Sequence, residues 1–258
     1  MQLILELFVA AFLASIFGSM VGLGGGFILV PILRLFFGLA PAEAAGTALV
    51  LVVANSGSGA FTYLMQRRVN VRTGLLIAAG GFPGSIIGAV IAKHISGAAF
   101  DWVFAGFLAL ICADMIVNRH KRAGNRIDDS LAHVEKAMSF RLAVFAGFAV
   151  GITSSLFGIG GGVVIVPTLL YFSSLPAHAI SATSHFGIVL TSPVGLAVHA
   201  LQHDIKLNYI FPLVAGGILG GPIGARLSLR LKSPNLLLFV AVALALAAIS
   251  LVARHIFH

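Results

Sequence analysis

Two stretches of this chain carry the same unusual chemistry. Gly22-Leu23-Gly24-Gly25-Gly26-Phe27-Ile28-Leu29-Val30-Pro31-Ile32-Leu33 and Gly158-Ile159-Gly160-Gly161-Gly162-Val163-Val164-Ile165-Val166-Pro167-Thr168-Leu169 share seven of twelve residues at an offset of 136. Each sets four glycines and a proline inside a long apolar segment, and both residue types disfavour a helix interior. A helix break exposes backbone N–H groups without a side-chain charge, and glycine lets other groups approach them. Breaks placed alike in two halves of a membrane protein point to a binding site. Gly24, Gly25, Gly26, Gly160, Gly161 and Gly162 are the first candidates to line it.

Hydroxyls and an amide follow in each half: Thr47, Asn55 and Ser56, then Thr183, Ser184, Thr191 and Ser192. Thr47 matches Thr183, Ser56 matches Ser192, Gly59 matches Gly195 and Gln66 matches Gln202, all at an offset of 136. Thr47 and Ser56 are about two and a half helical turns apart, so they do not all face one spot. A lone Ser or Thr in a membrane helix commonly bonds back to its own carbonyls. The coincident pairs Asn55-Ser56 and Thr191-Ser192 are the stronger candidates. Ionisable residues within apolar segments are functional suspects; here they are Glu6, Asp114, His185 and His199. His185, beside Thr183-Ser184, is a candidate to carry a coupling proton, because an unperturbed imidazole titrates at about 6.5. The competing reading is a neutral histidine bonded to a backbone carbonyl. Cys112 stands alone and no Cys/His spacing suits a metal, so neither a metal nor another cofactor is expected.

These residues need elements to hold them. Hydrophobic residues make up 59% of the chain and charged residues 9%, against about half and about a quarter in a soluble domain. Apolar runs of about 20 residues recur throughout. That describes an all-α polytopic membrane protein and not a barrel of alternating strands. The expected helices are 3–21, a second piece 27–37, then 41–65, 73–93 and 100–118. The other half has 139–157, a piece ending at 172, then 177–201, 207–229 and 235–256. A polar linker, 119–138, divides a first repeat, 1–118, from a second, 139–258. Residues 3–37 as one helix would be about 52 Å long against a core of about 30 Å, so the segment is broken, re-entrant or two spans. Gly80-Gly81, Gly84 and Gly88 recur as Gly216-Gly217, Gly220 and Gly224, a smooth face for close packing. The start of the chain lacks a basic n-region and reads as a first membrane helix, not a removed signal peptide.

Two topologies fit the repeat. If each broken segment crosses once, the halves are parallel and 11 of 16 basic residues share a side. If each dips in and returns, every half has three further helices, the halves are inverted, and 12 of 16 share a side. Both place the linker in the cytoplasm. The absence of basic residues near Met1 and the suitability of inverted repeats for alternating access favour inversion. The net charge of +8 reads as this topology signal and not as a nucleic-acid footprint, because the basic clusters lie between spans.

At the paired glycine motifs the chain resembles the TauE/SafE family of sulfite- and organosulfonate-exporter-like membrane proteins. The resemblance rests on Gly22-Leu23-Gly24-Gly25-Gly26 with Pro31, on Gly158-Ile159-Gly160-Gly161-Gly162 with Pro167, and on Gly46-Thr47 and Ala182-Thr183-Ser184. Size, eight hydrophobic segments and duplicated halves agree, over essentially the whole chain. It implies a transporter of a small sulfur-containing anion such as sulfite, thiosulfate, sulfoacetate or another organosulfonate, in a bacterial plasma (inner) membrane. One departure is visible: Ala48 stands where a serine would mirror Ser184, so the halves contribute unequally. Oxyanion oxygens held away from water without donors would cost several kcal/mol per group. N–H groups at a helix break, with the potential of a helix N-terminus, are suited to supply them.

The expected function is a secondary transporter, an exporter, holding its anion at the membrane midplane between the two breaks. An anion channel through the same glycine-lined site is the alternative. No GxxxxGK[ST] loop is present, so ATP is not the direct energy source. Nor does a triad, zinc motif or carboxylate pair mark an enzyme, with only eight acids in the chain. The partners are the anion, a coupling proton and the bilayer, with no nucleic acid; monomer and homo-oligomer are both compatible.

Overall fold

The computed structural model describes residues 2–117 and 138–229, with helical positions at 245, 248 and 249. Apart from Met138 and those three positions, the expected linker and the expected helix 235–256 lie outside the described residues. The described chain is helical: α1 (Gln2–Val21), α2 (Gly26–Leu35), α3 (Pro41–Met65), α4 (Val71–His94), α5 (Gly97–Val117), α6 (Phe140–Phe157), α7 (Gly162–Phe172), α8 (Ala177–Leu201) and α9 (Ile210–Leu227). Six segments are long and apolar enough to cross a membrane: α1, α3, α4, α6, α8, and α9 with the 3-10 turn Leu207–Tyr209 before it. Leu5, Phe61, Leu110 and Phe145 are exposed on the outside of the bundle, a surface that suits lipid tails.

Local sequence explains the boundaries. Pro41 opens α3, where its missing N–H is no loss, and the Ala40 N–H donates to Glu43 Oε2 at 3.1 Å. Asn70 caps α4 by accepting from the Thr73 N–H at 3.0 Å. The glycine runs stop α1 and α6. Gly22, Gly24 and Gly25 have φ of 88°, 86° and 79°, and Gly158, Gly160 and Gly161 have 71°, 82° and 76°, a region other residues enter only at a cost. In both turns the chain doubles back: Gly25 returns against Ala14 and Ser15 of α1, and Gly161 against Val150 and Ser154 of α6. The ten-residue α2 is then only about 15 Å long.

The glycine stripes are contact faces. Gly80, Gly84 and Gly88 of α4 abut the backbones of Val144, Phe148 and Ile152 in α6. Gly216, Gly220 and Gly224 of α9 meet Ala11, Ser15 and Ile16 of α1 in the same way. Numbers rise together in each pair, so the paired helices run in the same direction. α9 also runs with α3, Gly217 beside Ala54 and Gly221 beside Ser58, and α4 runs with α8, Ile77 beside Gly187 and Gly81 beside Thr191. By contrast α3 and α8 cross in opposite directions, with Gly46 against His199 and Gly59 against His185. Hence α1, α3 and α9 point one way, and α4, α6 and α8 the other.

A buried ion pair fastens the end of α2. Arg34 donates from Nε and Nη2 to the two Asp101 oxygens at 2.9 and 2.6 Å, and from Nη1 to the Leu39 carbonyl at 2.6 Å. Its guanidinium also lies 5.7 Å from the centre of the Phe100 ring. The repeat that relates the two glycine motifs puts Leu170 at the matching place, so no arginine stands there to make the same ion pair in the second half.

Candidate functional site

The two glycine turns meet each other in the middle of the bundle. Gly26 faces the Gly158 carbonyl and the Ile159 backbone, and Gly162 faces the Gly22 carbonyl and the Leu23 backbone. Any side chain at Gly26 or Gly162 would collide with the opposite turn. Val52 of α3 and Ile188 of α8 fill the space around Gly24 and Gly160, and both are fully buried. The centre between the breaks is therefore apolar, with polar groups on either side.

Each turn opens onto a helix N-terminus. The N–H groups of Ile28 and Leu29 return to the Gly25 carbonyl at 3.3 and 3.4 Å, and those of Val164 and Ile165 to the Gly161 carbonyl, both at 3.0 Å. Gly26 and Phe27, like Gly162 and Val163, precede these bonds and have no intrahelical acceptor. The first turn is held from α8: Ser184 Oγ donates to the Gly22 carbonyl at 2.6 Å and Ser181 Oγ to the Val21 carbonyl at 3.2 Å. Ala45 and Ala48 occupy the matching positions in α3 and have no hydroxyl to return the favour.

On one side of the centre lie Ser19, Asn55, Tyr63 and His185. Ser19 Oγ donates to Asn55 Oδ1 at 2.7 Å. That uses its one proton, so Ser19 Oγ accepts from the His185 Nε2–H at 3.0 Å. The Tyr63 hydroxyl donates to the Ser19 carbonyl at 2.7 Å, and its ring stands edge-on to His185 at 5.5 Å. On the other side lie Ser155, His199 and Asp204, with His199 Nε2 at 2.9 Å from the Ser155 carbonyl. Five buried donors around the turns have no partner among the described residues: Asn55 Nδ2 and the hydroxyls of Ser15, Ser154, Ser155 and Ser192.

The remaining residues singled out in the sequence fall in different places. Thr47 and Thr183 lie at opposite ends of the bundle, where Thr47 Oγ1 accepts from the Lys206 N–H at 3.1 Å and Thr183 Oγ1 from the Asn70 N–H at 3.0 Å. Both clasp a loop of the other half. Ser56 bonds back to the Val52 carbonyl at 2.6 Å and Thr191 to the Gly187 carbonyl at 3.0 Å. Beside Thr47, Lys206 pairs with Glu43 at 2.5 Å, and this hydrogen bond and charge hold its ammonium pKa above the usual value. Among the described residues no three His, Cys, Asp or Glu side chains gather in a metal-binding arrangement. Ser15, Ser19, Tyr63 and Asp204 are absent from the candidates read from sequence. A usable signal existed for two of them, because the internal repeat pairs Tyr63 with His199 and Ser19 with Ser155.

Six membrane-length helices around two abutting helix breaks, with buried polar groups on both sides of the junction, define an integral membrane protein built like a transporter. Residues 7–251 match the family described as "Sulfite exporter TauE/SafE", and the chain belongs to that family. It is 29% identical to the "Probable membrane transporter protein YunE" of Bacillus subtilis (strain 168), over 97% of this chain and 98% of that one. It is 31% identical to the "Probable membrane transporter protein MJ0441" of Methanocaldococcus jannaschii, over 74% of this chain and 70% of that one. A "Probable membrane transporter protein" of Xylella fastidiosa (strain Temecula1 / ATCC 700964) is 27% identical over 85% of this chain and 83% of its own. No solved structure matches the chain.

Proposed function

We propose that this membrane transporter is a secondary exporter of a small sulfur oxyanion, such as sulfite, thiosulfate or an organosulfonate, in a bacterial inner membrane. The observation that carries this reading is the pair of abutting turns, each leading into a helix N-terminus and each flanked by buried donors that have no partner among the described residues. An anion is the ligand such groups suit, because it accepts hydrogen bonds and meets the favourable end of a helix dipole. The Gly24–Gly26 and Gly160–Gly162 backbones, Asn55 and Ser192 contact the anion. Ser184 positions the first turn, and Ser56, Thr191, Thr47 and Thr183 keep their helices and loops in register.

Residues 1–118 and 139–258 act as inverted repeats, joined by a cytoplasmic linker, 119–138. The opposite running of α3 and α8 supports inversion, since these helices correspond in the two halves. The basic loop Arg67-Arg68 then shares the linker's side, in keeping with the charge rule. Val52 and Ile188 close the centre, and rocking of one half against the other would expose the turns to each side alternately. His185, bonded to Ser19 on the cytoplasmic side, is a carrier for a coupling proton. An inside-negative potential adds about 2.3 kcal/mol per charge per 100 mV to export of an anion.

The test is flux through purified protein in liposomes with sulfite, thiosulfate, sulfoacetate and sulfate. Saturable flux with counter-transport of one of the first three is expected. Flux that neither saturates nor counter-exchanges would instead make the protein a channel. Absence of flux for all three sulfur oxyanions other than sulfate would overturn the substrate class.

A further inference from the structure

At the far end of α8 from His185, His199 is fully buried between two oxygens. Its Nε2 lies 2.9 Å from the Ser155 carbonyl in α6, and its Nδ1 lies 3.3 Å from Asp204 Oδ2 in the loop after α8. A carbonyl only accepts, so Nε2 carries a proton. An ionised carboxylate also only accepts, so the second contact needs a proton of its own, on Nδ1 or on Asp204. A neutral imidazole beside an ionised carboxylate has one proton for these two contacts. One of them would then set lone pair against lone pair at a fully buried ring. Only a pair holding one more proton satisfies both.

The surroundings leave this proton to the pair. From α3, Gly46 lies against His199 and the Asp204 carbonyl, and Glu43 is engaged by Lys206 at 2.5 Å. From α4, Lys93 reaches the Gln202 carbonyl at 3.4 Å. His203 precedes Asp204 in the same turn, with φ of 62°. The one ionisable residue of α6, Arg141, sits in that helix's first turn, at its opposite end.

The other half closes its own end with the same contact but different chemistry. Tyr63, the counterpart of His199 under the repeat, donates to the carbonyl of Ser19 at 2.7 Å, as His199 does to that of Ser155. Arg68, the counterpart of Asp204, lies 5.3 Å over the Tyr63 ring. One end is thus closed by a phenol under a guanidinium and the other by an imidazole beside a carboxylate.

We propose that His199 and Asp204 form a proton-binding site that is filled while this end of the bundle is closed and emptied when α6 and α8 part. On closing, imidazole and carboxylate take one proton from solvent and share it. On opening, Ser155 separates from His199, water reaches the ring, and that proton returns to the compartment it came from. The site lies opposite the Arg67-Arg68 loop and faces the compartment that an exporter empties into. Its role in opening and closing rests on the transport reading above; its protonation does not.

Two measurements on the full chain decide this. Nuclear magnetic resonance of labelled protein in nanodiscs at pH 7.5 reads both His199 nitrogens and the Asp204 carboxyl, with H199Q and D204N for assignment. The expected result is a protonated Nε2 plus a second proton on Nδ1 or Asp204, with the second proton lost in D204N. A bare Nδ1 beside an ionised Asp204 would overturn the site. In liposomes, with thiosulfate and sulfite as probes, wild-type exchange flux should fall at least tenfold as the pH on the side facing His199 is lowered, and that fall should be lost in H199Q and in D204N. An unchanged pH dependence in both variants, including one in which the flux itself drops, would reduce the pair to a structural contact. If wild type moves neither probe, the transport reading and the gating role fail together, and the resonance result still decides the protonation.

Discussion

Ser184 donates to the Gly22 carbonyl across the interface between the two halves, at 2.6 Å, and its counterpart Ala48 gives nothing back to Gly158. The two glycine turns look alike in sequence, yet among the described residues only the first is tied to the facing helix by hydroxyls. A neutral hydrogen bond of this kind contributes about 0.5–1.5 kcal/mol. S184A should therefore loosen the first turn and lower thermal stability slightly, while A48S should tighten the second. Flux altered in opposite directions by the two variants is the expected outcome. Equal effects would show that the asymmetry has no functional weight.

Leucine at Gly25 or Gly161 should abolish flux while leaving membrane insertion intact. Both glycines are in the left-handed region, at φ of 79° and 76°, where an L side chain costs about 1–2 kcal/mol. Both also press against the facing wall of their own hairpin, Ala14 for one and Val150 for the other. The turn would have to move, and the N–H groups after it would move with it. Retained flux in both variants, at wild-type protein levels, would remove the backbone from the binding site.

Asn55 offers a sharper test of which polar groups meet the anion. Its Oδ1 is used by Ser19, but its Nδ2 is buried with no partner among the described residues. A hydrogen bond to a charged group is worth about 1.5–3 kcal/mol. N55L should raise the half-saturating substrate concentration by about tenfold or more, with a smaller change in maximal rate. N55D should weaken binding further, because it sets a carboxylate where the anion's oxygens would lie. An unaltered half-saturation in N55L would make Asn55 a packing residue.

The glycine faces separate close packing from lipid exposure. Gly84 meets the Phe148 backbone of α6, whereas a Cβ at Gly106 of α5 would find no atom of the described residues within 4 Å. G84L should destabilise the protein by about 1–3 kcal/mol through overpacking, and G106L should stay within about 0.5 kcal/mol of wild type. Thermal unfolding in detergent measures both. Equal stability of the two variants would contradict the α4–α6 packing.

The helices and their breaks were open to a reader of the sequence because apolar runs, glycine and proline act locally. The glycine runs fall at the α1–α2 and α6–α7 junctions, and Pro41 falls at the start of α3. Partnership was far less legible. Thr47 and Thr183 repeat at the same offset as the glycines, which made them candidates to line a site. The groups they hold, at Lys206 and Asn70, lie in the other half of the chain and are backbone N–H groups, which every residue but proline has. The central closure was hidden for a similar reason: Val52 and Ile188 are ordinary apolar residues in apolar helices, and only the fold brings them between the turns. Ser19 and Tyr63 escaped notice because a lone serine or tyrosine in a membrane helix carries no pattern until its counterpart is found.

Arg34 is the residue whose loss should be most damaging outside the centre. An arginine near the end of an apolar stretch could reach the membrane surface, but here it is buried with Asp101, Leu39 and Phe100 around it. Removing one partner leaves the other charge buried, a loss of about 3–5 kcal/mol. R34M and D101L should each lower stability by this order, and R34M/D101L should recover much of it, because an apolar pair of similar size avoids the stranded charge. Flux separates two roles for the pair. If it only stabilises the fold, the double variant transports normally at a temperature where it is folded. If it anchors α2 so that the first glycine turn keeps its place while the second moves, the double variant stays folded but its flux falls. The second outcome is expected, because Leu170 stands at the matching place in the other half and cannot make the same ion pair.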